Sequence, residues 1–160
     1  MDKRPILAAL REKLLAELEV IRASVASAVE GATHEEVKAE NEYDTRGLEA
    51  SYLAGAQAAR GETLLATIEA LKAFAPPSFG EDAQIALGAC VVVVDEDDNE
   101  RRYFISEIGG GTKVDVGSER WWVLSPSSPL AKLLIGKREG DVFEHVVRGE
   151  GTELEITKVA

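Results

Sequence analysis

The chain has 160 residues, 45% hydrophobic and 29% charged, which is the composition of a folded protein and not of a disordered one. Lys and Arg total 18 against 29 Asp and Glu, a net charge of −11. So acidic a balance argues against a nucleic-acid backbone or an anionic membrane surface as the main partner, since both attract clustered cations. The single cysteine, Cys90, makes no internal disulfide and no thiolate zinc site by itself. No run approaches the ~18 apolar residues of a membrane span. The N-terminal apolar stretch is interrupted by Arg11, Glu12 and Lys13, unlike a signal peptide, so the expected compartment is the cytoplasm.

The apolar spacing of the first half is helical. Leu7, Leu10, Leu14, Leu18, Ile21, Val25 and Ala28 recur every three or four residues and form one stripe, with Arg11, Glu12, Glu19 and Arg22 off it. After a break at Gly31-Ala32-Thr33, Leu48, Tyr52, Ala56 and Ala59 keep that spacing, and Leu64, Ile68, Leu71 and Ala75 resume it. Neither stripe can be hidden alone, so the expected arrangement is an antiparallel hairpin, turning between about residues 31 and 43. Gly55, Ala56, Ala58 and Ala59 are expected to let the helices approach closely. Gly47, Gly55 and Gly61 each cost about 1 kcal/mol relative to Ala, so packing rather than propensity must hold the second helix.

The connection carries the richest set of candidate functional groups. Glu35, Glu36, Glu40, Glu42 and Asp44 fall within one short segment offset only by Lys38, and Glu36 and Glu40 are spaced i, i+4, on one helix face. Carboxylates at that spacing suit a hard cation such as Mg²⁺, which takes one or two protein carboxylates and shares the rest of its shell. The same residues also fit a plain helix start: Thr33 and Glu36 match a capping box, and acidic side chains favour a helix N-terminus.

Pro76-Pro77 cannot continue a helix, and beyond it the spacing becomes that of strands. The expected organisation is therefore a helical hairpin at 1-76, a linker at 77-80 and a small domain at 81-160. Residues 89–94 are a β-branched run ending at the acidic turn 95–100, and Arg102–Ile105 completes a hairpin. That turn fails as a calcium loop, because its sixth residue is Glu100 instead of Gly and its twelfth is Ser106 instead of Glu. Gly109-Gly110-Gly111-Thr112-Lys113 lacks the Gly-Lys-Ser/Thr order of a phosphate loop and reads as a flexible loop. Trp121–Leu124 is a strand in which alternation sends one indole into the core and the other to the opposite face, where it is either covered by a helix or anchors a partner. Ser128 as N-cap, Pro129 in the first turn and Gly136 at the stop mark a short helix. Residues 141–147 and 152–159 are two further strands. His34 and His145 have no companions at metal-binding spacing. The fold class is α+β: a helical hairpin followed by a mostly antiparallel sheet with one short helix.

The segment Ser128-Pro129-Leu130-Ala131-Lys132-Leu133-Leu134-Ile135-Gly136-Lys137, followed by Glu139-Gly140-Asp141, resembles the signature of the bacterial Gre-type transcription elongation factors. The helical half resembles the same family, with Glu42-Tyr43 just past the turn, so the likeness spans nearly the whole chain. It implies an FKBP-like C-terminal domain that docks on RNA polymerase, with Ser128, Pro129, Trp121 and Trp122 as candidate contacts. It implies a coiled coil that enters the secondary channel and an acidic tip that shares a Mg²⁺ with the polymerase active centre. The factor is then a monomeric accessory protein with no cofactor of its own, and RNA cleavage is performed by the polymerase. The sequence departs from the family at the tip, where the usual pattern is Gly-Asp-Leu-x-Glu-Asn-Ala-Glu-Tyr. Aligned without gaps, Glu36 stands at the family's Asp, but Ala39 stands at its Glu and Glu40 follows one residue late. A one-residue deletion restores Glu40-Asn41 and leaves Val37 at the Asp. One residue turns a helical side chain by about 100°, so the departure favours a divergent regulator over an efficient cleavage factor. The FKBP-like fold alone suggests the alternative of a peptidyl-prolyl isomerase or chaperone, and the coiled coil alone suggests a dimerising interaction module.

Overall fold

A computed structural model describes residues 1–33, 46–147 and 149–160. The element order is α1 (Arg4–Thr33), α2 (Arg46–Ala73), β1 (Cys90–Asp95), β2 (Glu100–Ile105), β3 (Lys113–Val116), β4 (Glu119–Leu124), α3 (Pro129–Leu134), β5 (Val142–Val147) and β6 (Glu150–Val159). By compactness the chain divides into Met1–Arg11 with Ala73–Ala160, and Glu12–Lys72. The end of helical periodicity at Pro76-Pro77 and this compact division are different boundaries. The first turns of α1 group with the sheet because their apolar side chains are buried beside it.

The second unit is the helical hairpin. In α1, Leu14, Leu18 and Ile21 are buried and Val25 and Ala28 are half-buried, so the stripe read from the sequence is the one the fold uses. In α2 the stripe differs. Ala54, Gln57, Gly61, Leu64, Ile68 and Leu71 form the sheltered row, whereas Tyr52 is 73% exposed and Ala56 and Ala59 lie in solvent. Ala75 lies past the helix end at Ala73. Close approach occurs at Gly61, where an added Cβ would lie 3.4 Å from Ile21 and 3.8 Å from Leu18. At Gly55 the same atom would meet nothing within 4 Å, which corrects the expectation that residues 55 to 59 form the point of contact. Arg60 reaches across to Glu17 at 2.6 Å. Both side chains are largely exposed, so the pair contributes well under about 1 kcal/mol.

The first unit is built on a six-stranded sheet in the order β3-β4-β2-β1-β6-β5. All neighbours are antiparallel except β2 and β4, which are parallel. One face carries Val91, Val93, Tyr103, Ile105, Leu154 and Ile156 under Ala131 and Leu134 of α3. On the other face Phe104 meets Phe74 edge-on at 6.4 Å between centroids. Leu10 sits where an added Cβ at Gly109 would be 2.8 Å away, so this close seat requires glycine. The register of β1 against β6 shifts between Val92 and Val93, a bulge that bends the ladder. Strand β3 is not among the elements expected from the sequence: the glycine run before it signals a loop, and only Val114 of its four residues is buried.

Candidate functional site

The acidic candidates Glu35, Glu36, Glu40, Glu42 and Asp44, together with His34, lie outside the described residues. What the structure defines is their frame. Helix α1 ends at Thr33 and α2 begins at Arg46, so the carboxylates belong to the segment that joins the two arms of the hairpin. The arms are 30 and 28 residues long, roughly 45 and 42 Å at ~1.5 Å per residue. Beside the helix pair runs an apolar groove of about 370 Å³, lined on α1 by Leu18, Arg22 and Val25 and on α2 by Ala58, Gly61 and Leu65. On the α2 side the small residues Ala58 and Gly61 leave room opposite Leu18 and Val25. Among the described residues no group of three or more His, Cys, Asp and Glu is placed to hold a metal. Among them, too, no helix is long and apolar enough to cross a membrane.

The second candidate set lies on the sheet unit. Ser128 is the N-cap of α3: its backbone is extended, and its Oγ accepts the N–H of Ala131 at 3.3 Å. Pro129 follows in the first turn and is exposed. Ser128 and Pro129 therefore form a rigid, capped corner of which Pro129 is the accessible part. Trp121 is 1% exposed, which corrects its assignment as a partner contact, since a ring sealed in the sheet has no surface to offer. Trp122, on the α3 side, is half-buried against Tyr103 with ring centroids 6.1 Å apart, and Lys113 lies over it at 5.7 Å. It retains an edge at the surface.

The other sequence candidates resolve into structure. Asp95 accepts the N–H groups of Asp97 and Asn99 at 3.1 and 2.9 Å, which closes the β1–β2 turn. The Asn99 N–H holds its carboxyl below the usual range, helped by the Asn99 side chain and by Arg101. The turn is a hairpin turn, as expected, with Asp98 at φ 61. His145 is half-buried in β5. Periodicity gave no sign of Lys3, which is only 7% exposed. Its ammonium donates to the Pro77 carbonyl and lies 4.5 Å from the Phe79 ring centroid. Burial lowers the Lys3 pKa, although the nearby Cys90 opposes this, and burial pushes the Cys90 thiol up to about 11. A buried thiol with so high a pKa is unreactive and carries no nucleophilic chemistry.

Residues 81–160 match the family model described as Transcription elongation factor, GreA/GreB, C-term. Along the whole length, the chain is 33% identical to the transcription elongation factor GreA of Phenylobacterium zucineum over 165 aligned positions, covering 99% of this chain and 98% of that protein. The chain belongs to the GreA/GreB transcription elongation factor family. Another relative, the transcription elongation factor GreA of Alkalilimnicola ehrlichii, is 29% identical over 99% of this chain and 98% of its own length. The solved structure of GreA factor homolog 1 of Thermus thermophilus is 25% identical and covers 95% of each chain with a TM-score of 0.41, a superposition too loose to carry an argument. The family assignment covers both parts of the molecule, because the relatives align through the helical arms as well as the sheet. These matches concern transcription elongation, and none of them is a prolyl isomerase.

Proposed function

We propose that this GreA/GreB-family chain binds RNA polymerase and modulates elongation or initiation from the secondary channel. The observation that carries the reading is full-length relatedness to GreA combined with a two-arm helical hairpin whose joining segment concentrates carboxylates. In this reading the sheet unit docks at the channel rim through the corner at Ser128 and Pro129 and the exposed edge of Trp122. The hairpin enters the channel and presents residues 35–44 to the active centre. Paired helices suit such a probe, since most helical stability in proteins comes from packing an amphipathic face, and two helices that bury a shared stripe hold their shape.

Chemistry in the complex belongs to the polymerase, and the chain is an accessory factor, not an enzyme. Mg²⁺ is the polymerase's ion. Glu36 and Glu40 are the side chains of this chain that would share it, with Glu35, Glu42 and Asp44 adding negative potential around them. The metal supplies polarisation of the attacking water and of the leaving oxygen. What Glu36 and Glu40 contribute is position. With Ala39 where the family pattern has Glu, the two carboxylates are out of the family's register, and a misplacement of about 1 Å can cost roughly 10²-fold in rate. The chain accordingly occupies the channel and stimulates cleavage weakly.

Purified protein added to stalled, backtracked elongation complexes tests this. Weak transcript shortening, reduced further by Glu36→Ala with Glu40→Ala while polymerase binding persists, is the expected result. Robust shortening that survives the double substitution contradicts the role given to these two residues.

A further inference from the structure

Strand β5 forms one edge of the sheet, paired with β6 on one side only. Where the ladder begins, the N–H of Ile156 donates to the Asp141 carbonyl at 2.9 Å. Hydrogen-bonded and non-hydrogen-bonded pairs alternate along an antiparallel ladder. The backbones of Phe143 and His145 therefore face β6, and the N–H and C=O groups of Val142, Glu144 and Val146 face outward. The same residues expose their side chains: Val142 is 48% and Val146 58% accessible, and Glu144 lies in solvent. Natural edge strands are guarded by shortness, by charged side chains and above all lysine, by proline or by a bulge. The opposite edge follows that rule, since β3 has four residues and carries Lys113. Strand β5 has six residues, no lysine, no proline and a regular register with β6, and its guard is one exposed carboxylate, Glu144, which repels an acidic edge but not a basic one.

Charge selects the occupant. Glu144 stands directly opposite Glu153, and Val142 opposite Glu155, which puts three carboxylates on one face of the two-stranded edge. Like charges facing each other across a ladder are destabilising. Among the described residues none of the three is ion-paired. The negative field continues into an adjoining cavity of about 260 Å³, lined by Val94, Asp95, Glu96, Asp98, Val142, Glu153 and Glu155. A second copy of the chain fits badly. Antiparallel self-pairing centred on Glu144 sets that carboxylate against its own twin, and the other register still abuts two acidic faces.

We propose that the β5 edge receives an extended basic segment of a partner protein, which adds to the sheet as a further strand. Main-chain bonds to Val142, Glu144 and Val146 supply the pairing. Lysine or arginine side chains at alternate positions meet Glu144, Glu153 and Glu155, and one long basic side chain enters the adjoining cavity. None of its residues belongs to the hairpin helices or to the corner at Ser128 and Pro129.

The probe is a short synthetic peptide alternating Lys with Val, compared with its Glu-for-Lys counterpart, on isotopically labelled full-length protein. The Lys peptide is expected to shift the amides of Val142, Glu144 and Val146 and slow their hydrogen exchange, and the Glu peptide to do neither. Glu144→Lys, which also relieves the repulsion with Glu153, should weaken binding by about tenfold. Val146→Pro deletes an outward N–H without touching the β6 ladder, so it should abolish protection along β5 and leave the remaining spectrum unchanged. Three results overturn the proposal. One is an absence of β5 protection at saturating peptide, with shifts only at the 95–100 turn, which indicates diffuse charge attraction. Another is unfolding of the sheet by Val146→Pro, which shows that the N–H is already engaged. The third is a sedimenting dimer that Glu144→Lys alters, which gives the edge to a second copy.

Discussion

Replacing two glycines of α2 by alanine separates the packing of the hairpin from its helix propensity. Glycine in a helix interior costs about 1 kcal/mol relative to alanine. At Gly55 an added methyl meets nothing within 4 Å, so Gly55→Ala should gain that propensity alone, about 1 kcal/mol. At Gly61 the new Cβ lies 3.4 Å from Ile21 and 3.8 Å from Leu18, ordinary contact distances at a half-buried site. Full burial of a methyl group is worth about 0.8 kcal/mol. About half of that is expected at Gly61, so Gly61→Ala should stabilise by about 1.4 kcal/mol.

Urea melts followed by far-UV ellipticity report chiefly on α1 and α2. Both tryptophans lie in β4, so their fluorescence reports on the sheet unit and serves as the internal reference. The expected order of stability is Gly61→Ala, then Gly55→Ala, then the parent. For a unit the size of Glu12–Lys72, each kcal/mol corresponds to roughly 4–8 °C in Tm. A loss of about 1 kcal/mol in Gly61→Ala, with Gly55→Ala stabilising, contradicts this packing, because it places the helices closer at residue 61 than the structure does. Destabilisation by Gly55→Ala contradicts the assignment of residue 55 to the outer face.

Cys90 makes stability fall at alkaline pH. Its folded pKa of about 11 stands above its ordinary 9.0, so above pH 9 the unfolded chain binds fewer protons. Stability contributed by the buried thiol is complete below pH 9 and is lost as pH rises to 11, by roughly 3 kcal/mol at most. Cys90→Ala should flatten that decline in urea melts across the window, and an unchanged slope refutes the assignment. Lys3 acts in the opposite sense: its pKa is lowered in the fold, so its contribution rises with pH up to the ordinary 10.5, and Lys3→Met should steepen the decline. Gly88, at φ +86, has Pro77 Cδ 2.6 Å from its would-be Cβ and Pro76 Cβ at 3.1 Å. Gly88→Ala should cost at least roughly 2 kcal/mol through combined backbone strain and clash; a loss below about 0.5 kcal/mol shows that the proline pair does not bear on residue 88.

The features legible in the sequence were those with strong contrast. The β1–β2 hairpin announced itself by a β-branched run that stops at Asp95, and α3 by Ser128, Pro129 and Gly136 at its ends. The α1 stripe was legible because leucine and isoleucine alternate with charges. The first half of α2 was misread because an alanine-rich stretch lacks that contrast. Tyr52 and Ala56 mimic a stripe, and the true row passes through Gln57 and Gly61, which no apolar pattern would select. Alternation put one tryptophan on each face, but which one was sealed depended on pairing with β2, where Trp122 lies beside Tyr103 and Trp121 beside Arg102. The candidate site was legible as composition, five carboxylates in ten residues, while its spacing carried meaning only through the likeness to a family.

A photo-crosslinker at residue 40, in a complex of the full chain with core RNA polymerase, asks whether the joining segment of the hairpin reaches the active centre. Crosslinks to polymerase residues that line that centre, lost when a competing secondary-channel ligand is present, are the predicted result. Binding that persists while residue 40 labels only the polymerase exterior contradicts the proposed role.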